Sequence, residues 1–201
     1  MLRDALLPSW AARVGRAWFR WRSLSPVPLF LLLIIIPPQF TPSIFGFCLL
    51  VLGVALSESL RIWAVGYAGS ATRTRGDLVS SLVTVGPYQF VRNPLYLANI
   101  SLYTLTGLLF GSVILSAAIF VYSFSQYSFI VIYEESTLNS AIGPEYREYL
   151  RRPSRWFPRL VPGVPSGHLF NLRAALRSER STFLCIAGMG LILVIRNFVL
   201  G

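Results

Sequence analysis

Long apolar runs alternate along the chain with shorter stretches that carry most of the charge. This pattern is typical of a protein that crosses a membrane several times. The first run is short and stops at Pro37 and Pro38, so we expect it to be tilted or partly interfacial. The predicted membrane helices cover residues 26–36, 43–65, 94–111, 112–133 and 182–200. Because a lipid-embedded backbone must bond to itself, the pattern predicts an all-α polytopic helix bundle with about five transmembrane helices.

The N-terminal stretch predicts an amphipathic helix that begins near Ser9. One stripe of this helix consists of Trp10, Val14, Trp18 and Trp21. A second stripe consists of Arg13, Arg16 and Arg20. Aromatic and arginine stripes at helical spacing predict a helix that lies in the headgroup layer. Such a helix serves either as a topology anchor or in admitting a substrate, and the sequence leaves both roles open.

Composition supports the membrane interpretation. Hydrophobic residues make up 54% of the 201 residues and charged residues only 13%, with a mean hydropathy of +0.60. So little polar surface cannot cover a water-soluble globule of this size. The formal net charge is +10, and the basic residues are all arginine, concentrated in residues 3–22, 61–92 and 147–180. These stretches fall on one side of the predicted bundle, which favours the positive-inside rule over nucleic-acid binding. We therefore expect a cytoplasmic N-terminus, an external C-terminus and no nucleic-acid partner.

A polar motif precedes the third predicted membrane helix. Asn93 stands directly before Pro94 and a long apolar run, which predicts a helix start capped by the Asn side chain. Free first-turn amides, the positive end of the helix dipole and Arg92 together predict an anion site. Taken singly, Asn93 is explained as an ordinary cap.

A turn and two tyrosines accompany this helix start. Gly86 and Pro87 predict a turn that lets the backbone approach a ligand closely. Tyr88 and Tyr96 add hydroxyl groups and flat aromatic faces. Each also has an ordinary structural explanation, as a turn or as an aromatic anchor at the membrane interface.

Two carboxylates follow the fourth apolar run. Glu134 and Glu135 emerge on adjacent faces of a helix as it leaves the bilayer. Gly143 and Pro144 then predict a helix break, followed by a short helix that carries Tyr146 and Tyr149. A minimal turn near Gly111 makes the third and fourth helices an antiparallel hairpin. The hairpin predicts that the carboxylates lie close to Arg92 and Asn93.

At this point the sequence resembles a known family, the integral-membrane methyltransferases that include isoprenylcysteine carboxyl methyltransferase and the phospholipid N-methyltransferases. The resemblance covers residues 61–158, about half of the chain. It rests on Gly86-Pro87-Tyr88, Arg92-x-Pro94-x-Tyr96, Glu134-Glu135-x-x-Leu138, Gly143-x-x-Tyr146-x-x-Tyr149 and Arg155-Trp156-Phe157-Pro158. Each motif alone is weak, but their joint order and spacing are specific.

The resemblance implies S-adenosylmethionine as methyl donor and S-adenosylhomocysteine as product, held in cytoplasmic cofactor-binding segments. Arg92 and Glu135 are the implied catalytic residues. The candidate cofactor-binding residues are Gly86, Pro87, Tyr88, Arg92, Asn93, Pro94, Tyr96, Glu134, Glu135, Leu138 and Tyr146. The family's motif has histidine where this chain has Asn93, so we expect Asn93 to bind and not to act as acid or base.

The implied acceptor is a lipid or a lipophilic small molecule that arrives sideways from the bilayer. Alignment of the reactants and exclusion of water would supply most of the rate enhancement. An ammonium acceptor would need a base, and Glu134, Glu135 or a tyrosine is available for that role. An acceptor that is already nucleophilic would need none. The choice between O-, N- and S-methylation stays open.

Other polar residues have more ordinary interpretations. Glu58 and Arg61 lie one helical turn apart and form either a packing ion pair or a substrate-facing pair. Cys48 and Cys185 fall in apolar runs and are interpreted as small buried hydrophobes, with no disulfide or metal site. His168 lies in a Pro- and Gly-rich stretch and is interpreted as a solvated loop residue.

The sequence divides into an interfacial helix (1–25), a methyltransferase core (26–181) and a C-terminal transmembrane helix (182–201). Two other functions remain open. One is a membrane reductase of the sterol-reductase type that uses NADPH, and the other is a non-catalytic multispan scaffold. The all-arginine basic set suggests a GC-rich bacterium, and hence its inner membrane. The oligomeric state is open.

Overall fold

The computed structural model describes residues 9–69, 82–159 and 169–200 of the chain. Its helices are α1 (Ser9–Trp21), α2 (Val27–Ile35), α3 (Ile44–Ala68), α4 (Pro94–Leu109), α5 (Val113–Ile142), α6 (Pro144–Leu150) and α7 (Leu172–Leu200). A short 3-10 helix, Gly86–Gln89, precedes α4. Within those three ranges the extended backbone pairing amounts to an isolated bridge between Val91 and Ser154. The prediction of an all-α fold is confirmed.

Among the residues that the structure describes, three helices are long and apolar enough to cross a membrane by length and composition: α3, α5 and the Leu172–Phe198 part of α7. The α4 helix has 16 residues and α2 has 9. At 1.5 Å per residue these extend about 24 Å and about 14 Å, less than the hydrocarbon core of about 30 Å. The prediction of about five membrane helices is thus supported for three runs. For α2 and α4 it stays a prediction.

Local sequence signals fix several helix ends. Ser43 caps α3 by accepting a hydrogen bond from the Gly46 amide at 3.2 Å. The α5 helix continues beyond the predicted membrane segment to Ile142. Gly143 ends it with a φ of 74°, and Pro144 follows Gly143 in the chain. The α7 helix begins at Leu172, well before the predicted residue 182, because Asn171 caps it through the Ala174 amide at 2.9 Å.

The α4 and α5 helices form the predicted antiparallel hairpin. Gly111 makes the turn with a φ of 72°, which favours glycine. Gln39 accepts hydrogen bonds from the first amides of α5, those of Val113 at 3.0 Å and Ile114 at 3.3 Å. The turn therefore brings the start of α4 and the end of α5 to the same end of the bundle.

The α1 helix packs along α5, and its contact face differs from the predicted stripe. Ala11 and Gly15 form the buried line, whereas Trp10 and Trp21 are 55% and 56% exposed. A Cβ atom on Gly15 would lie 2.0 Å from the backbone oxygen of Phe129, so the two backbones touch. The amphipathic helix is present; small residues make its closest backbone approach to α5, and the Trp18 ring packs on the Tyr122 ring at 5.6 Å. Small residues allow the closest approach of two helices.

A buried ion pair joins α7 to α3. The Arg61 guanidinium donates to Glu179 at 2.7 Å and also contacts Glu58 at 3.4 Å. It further donates to Asn99 of α4 and, at 3.3 Å, to Thr182 of α7. Glu58 and Arg61 therefore do form the predicted ion pair, but the shorter partner comes from α7. This cluster ties three helices together within the apolar bundle.

The two cysteines and Arg196 lie in surroundings that differ from what their sequence context suggests. Cys48 and Cys185 are exposed on the helix surfaces and not buried, because in a membrane bundle apolar side chains also face outward. Arg196 lies outside the three arginine-rich stretches and is buried near the end of α7. Its guanidinium donates to the backbone oxygens of Phe110 at 3.0 Å and Ile36 at 2.6 Å. His168 lies outside the described residues.

Replacement of Gly15 by alanine should loosen the contact of α1 with α5. Although alanine favours helix formation, its Cβ must displace the Phe129 backbone, so we expect a loss of about 1–3 kcal/mol of unfolding free energy. Thermal unfolding of the purified protein in detergent measures this. Gly188→Ala in α7 is the matched control, because open space surrounds that position. Equal unfolding temperatures for the two variants would contradict the close packing.

Replacement of Glu179 by glutamine should destabilise the bundle by about 3 kcal/mol, because it removes the closest charge partner of a buried guanidinium. Unfolding by denaturant in mixed micelles measures the difference. Glu148→Gln is the control, since its ion pair with Arg152 is exposed and is expected to contribute less than about 1 kcal/mol. A change no larger than that of the control would show that the α3–α7 ion pair is unimportant for folding.

Candidate functional site

The start of α4 and the later turns of α5 bring four polar side chains together. The Arg92 guanidinium lies 3.0 Å from the Glu135 carboxylate. The Tyr96 hydroxyl donates to Glu134 at 2.7 Å. The hairpin thus brings Glu135 to Arg92 as predicted, whereas the hydrogen-bond partner of Glu134 is Tyr96. The binding roles of these residues stay predictions.

Glu135 is held from two sides. Besides Arg92, it accepts hydrogen bonds from Arg155 at 3.2 Å and 2.5 Å. The carboxylate is only 7% exposed, and a buried charge of this kind is stable when it is paired and hydrogen-bonded. Arg155 belongs to the Arg155-Trp156-Phe157-Pro158 motif but is not among the predicted site residues. Its place in this motif was the one sequence signal that pointed to Arg155.

Arg92 is fully engaged inside the protein. Its Nε donates to the backbone oxygen of Pro153 at 3.0 Å, and its Nη2 donates to that of Leu150 at 2.7 Å. With Glu135 on Nη1, the guanidinium bridges α5 and the C-terminal end of α6. The prediction that Arg92 also binds an anionic group of a ligand stays a prediction. In this arrangement Arg92 fixes the position of the Glu135 carboxylate.

Asn93 does not cap α4 with its side chain. The helix begins at Pro94 as predicted, but the Asn93 amide group donates to the backbone oxygen of Arg155 at 3.2 Å. The predicted capping bond is wrong, because the segment that follows α6 competes for this side chain. Backbone bonds continue the contact, from Arg92 to Ser154 at 2.9 Å and from Arg159 to Phe90 at 2.9 Å. Asn93 therefore helps to hold the Arg155 segment against the start of α4.

The turn before α4 and the α6 helix supply three tyrosines. Gly86 adopts a φ of 62°, and a Cβ there would lie 2.3 Å from the Tyr67 ring. The Tyr149 hydroxyl donates to the backbone oxygen of Tyr88 at 2.9 Å. Desolvation raises the pKa of the Tyr88, Tyr146 and Tyr149 hydroxyls well above the usual value of 10.0. These groups are therefore neutral hydrogen-bond donors at physiological pH.

These residues face a cavity of about 1510 Å³. All of the predicted cofactor-site residues line it except Gly86 and Pro87, which are buried in the turn beneath. The same cavity extends to the second polar cluster, where Arg61, Asn99 and Glu179 lie on its wall. Glu58 is not among the lining residues, so only one of the two predicted substrate residues faces this space. The rest of the wall is largely apolar.

The donor set suits an organic ligand that carries hydroxyl and ammonium groups. Carboxylate and tyrosine oxygens at the polar end accept hydrogen bonds, and aromatic rings offer flat surfaces. In the described ranges no group of three or more His, Cys, Asp or Glu side chains is placed to hold a metal ion. Fold and site together define a helical membrane protein with a large cavity among its described residues, lined by two polar clusters and by apolar side chains.

Comparison with known proteins identifies the family. The model of the phospholipid methyltransferase family matches residues 42–145, just over half of the chain. The chain therefore belongs to the phospholipid methyltransferase family. It is an integral membrane protein of a methyltransferase family, in agreement with the three apolar helices.

Two curated relatives are proteins named for metal resistance. The chain is 34% identical over 109 residues to the cobalt-zinc-cadmium resistance protein CzcN of Cupriavidus metallidurans, covering 54% of this chain and 47% of that protein. It is 36% identical over 109 residues to the nickel-cobalt-cadmium resistance protein NccN of Alcaligenes xylosoxydans xylosoxydans, covering 54% and 48%. The chain spans about half the length of these relatives. No solved structure matches it.

The three bonds of the Arg92 guanidinium predict that lysine cannot replace it. Arg92→Lys keeps the charge but loses the fork that bonds Glu135, Leu150 and Pro153 together, so we expect a loss of about 2 kcal/mol of unfolding free energy. Thermal unfolding in detergent measures this. Arg152→Lys is the control, because Arg152 forms an exposed ion pair with Glu148. This variant should unfold like the wild type. Equal behaviour of both variants would disprove the positioning role.

Proposed function

We propose that the protein transfers a methyl group from S-adenosylmethionine to a lipid or lipid-like acceptor at the cytoplasmic face of a bacterial inner membrane. Membership of the phospholipid methyltransferase family supports the reaction class. The observation that carries the proposal is the meeting of Glu134, Glu135, Tyr96 and Arg92 in one cavity that continues between apolar helices. This arrangement joins a polar pocket to an apolar one.

The residues present fit the proposed cofactor. Ligand pockets of drug-sized molecules occupy roughly 300–1,000 Å³. The cavity of about 1510 Å³ therefore has room for a cofactor and an acceptor together. Glu134 and Glu135 offer acceptors for ribose hydroxyls or an ammonium group, and the Tyr88 and Tyr146 rings suit an adenine face. When bound, S-adenosylmethionine supplies an electrophilic methyl group on a positively charged sulfur.

The two carboxylates have different surroundings, which suggests different roles. Arg92 and Arg155 occupy both oxygens of Glu135, so this residue orients the site and offers negative charge. Glu134 is bonded at Oε1 by the Tyr96 hydroxyl alone among the described hydrogen bonds. The site tyrosines stay protonated. We therefore assign Glu134 as the base when the acceptor must lose a proton, and none of the tyrosines.

The apolar walls would exclude water around the reacting atoms and align the acceptor. Alignment lowers the barrier because less translational and rotational freedom is lost in the transition state. An acceptor that is already nucleophilic would need only this positioning. The exposed apolar side chains that line part of the cavity suit an acceptor of low polarity.

Labelled S-adenosylmethionine and a total lipid extract test the proposal with the purified protein. We expect label in a lipid product, and a loss of transfer of at least about 100-fold in Glu134→Gln for an acceptor that needs a base. In Glu135→Gln, cofactor affinity should fall about tenfold, since the site loses its oriented charge. Glu148→Gln is the control with an exposed carboxylate. No labelled product and no cofactor binding by the wild type would refute the proposal.

Parallel binding experiments separate the alternatives. Saturable binding of NADPH in place of S-adenosylmethionine would favour the reductase. Binding of neither cofactor would favour the scaffold. The names of the two relatives also support a proposed role in metal resistance. Growth of a deletion strain on cobalt and cadmium salts, with complementation by wild type and Glu134→Gln, tests whether methyl transfer is required for that role.

A further inference from the structure

Arg22, directly after α1, lies at the polar end of the cavity. Its side chain lines the cavity together with Glu134 and Tyr96. The guanidinium lies 3.9 Å above the Phe19 ring and donates one hydrogen bond, to the Phe19 backbone oxygen at 3.2 Å. This leaves most of its donors available for a ligand.

The other arginines on the cavity wall are already engaged. Arg61 is paired with Glu179, and Arg92 is paired with Glu135. In the part of the chain that the structure describes, Arg22 makes no ion pair. It is therefore the cavity guanidinium with the greatest remaining capacity to bind an anion.

Packing holds Arg22 in this position. Gly15 brings α1 against the Phe129 backbone of α5. One turn later the Phe19 ring lies 5.8 Å from the ring of Tyr133, the residue next to Glu134. The end of α1 is thus fixed beside the carboxylates. Arg22 also lies outside residues 42–145, which the family model matches, so the family motifs do not include it.

An apolar groove leads away from Arg22 between α2 and α3. Val27 and Leu31 line it from α2, and Phe47 and Val51 line it from α3. These four side chains are 43%, 52%, 42% and 44% exposed, although they are apolar. The α2 helix packs mainly against α5, and α3 packs mainly against α4 and α7, while side chains of both α2 and α3 line the cavity. A charged group at one end of an open apolar groove matches an amphipathic ligand.

We propose that Arg22 and the α2–α3 groove form the acceptor subsite. Arg22 binds an anionic oxygen group, phosphate or carboxylate, and the groove binds the attached acyl chain. The identification of this ligand as the methyl acceptor rests on the proposed function, but its binding does not. Arg22 bonds to Phe19, whose ring packs on Tyr133 beside Glu134, so an anion on Arg22 would place neighbouring atoms of the head group beside the carboxylates.

Photo-crosslinking in neutral maltoside micelles tests the subsite. The probes are diazirine-bearing phosphatidic acid, stearic acid and diacylglycerol. We expect wild-type protein to be labelled in α2 and α3, and Arg22→Gln to lower the apparent affinity for one or both anionic probes about tenfold, the contribution of one charge-assisted hydrogen bond. A loss for phosphatidic acid would identify phosphate as the group that Arg22 binds, and a loss for stearic acid would identify carboxylate. The neutral diacylglycerol should be unaffected.

Two further variants provide controls. Arg20→Gln removes an exposed arginine from the same helix and should leave all three affinities unchanged. Val51→Trp fills the groove and should reduce labelling by all three probes. An equal loss in Arg20→Gln and Arg22→Gln would overturn the proposal in favour of general attraction to a basic helix. Unchanged binding in Arg22→Gln would overturn it directly.

Cofactor binding, measured by calorimetry on the same samples, separates the two proposals. Arg22→Gln should keep its affinity for S-adenosylmethionine within about twofold, since the variant removes an acceptor contact. Loss of cofactor affinity with intact lipid binding would instead assign Arg22 to the cofactor carboxylate and overturn the acceptor subsite. If wild-type protein binds no cofactor but shows the Arg22-dependent lipid binding, the subsite stands and the proposed methyl transfer fails.

Discussion

The buried carboxylate of Glu135 is the interaction on which the site depends. A charge at this depth is stable only when it is paired, and Arg92 and Arg155 provide two guanidinium groups. Because these three residues come from α5, the start of α4 and the segment after α6, one charge cluster joins three parts of the chain. The remaining bonds of Arg92 then fix the end of α6, which carries the buried Tyr146 and Tyr149.

The same rule explains the other polar residues of the bundle. Glu179 pairs with Arg61 between α7 and α3, and Arg196 donates to the backbone oxygens at the ends of α2 and α4. Each cluster satisfies charges or helix-end carbonyls that lipid cannot satisfy. The arginines therefore have different roles. Arg61 and Arg196 hold helices together, and Arg92 and Arg155 orient the Glu135 carboxylate. Arg22 lines the cavity with most of its hydrogen-bond donors available.

Much of the architecture follows from local sequence signals. Apolar runs and their Pro and Gly boundaries predicted the start of α4 at Pro94, the break at Gly143 and the tight hairpin at Gly111, because these signals act within a few residues. The predictions that failed within the site concerned partners. Asn93 was expected to cap α4, but a backbone oxygen from a distant segment binds its amide group. Likewise, sequence could not show that Arg92 would be occupied or that Arg155 would join it.

By itself, the sequence determined the helical class, the hairpin and the meeting of Glu135 with Arg92, since periodicity and turn chemistry are local properties and a tight turn places two helix ends together. The tertiary structure alone decided which charges pair, which face of α1 packs on α5, and which arginine retains free donors. Those outcomes depend on contacts between residues that are far apart in the sequence. Arg61 and Glu179, for example, are separated by 118 positions. Ion pairs form where packing brings charges within a few ångströms, and no local pattern encodes that distance.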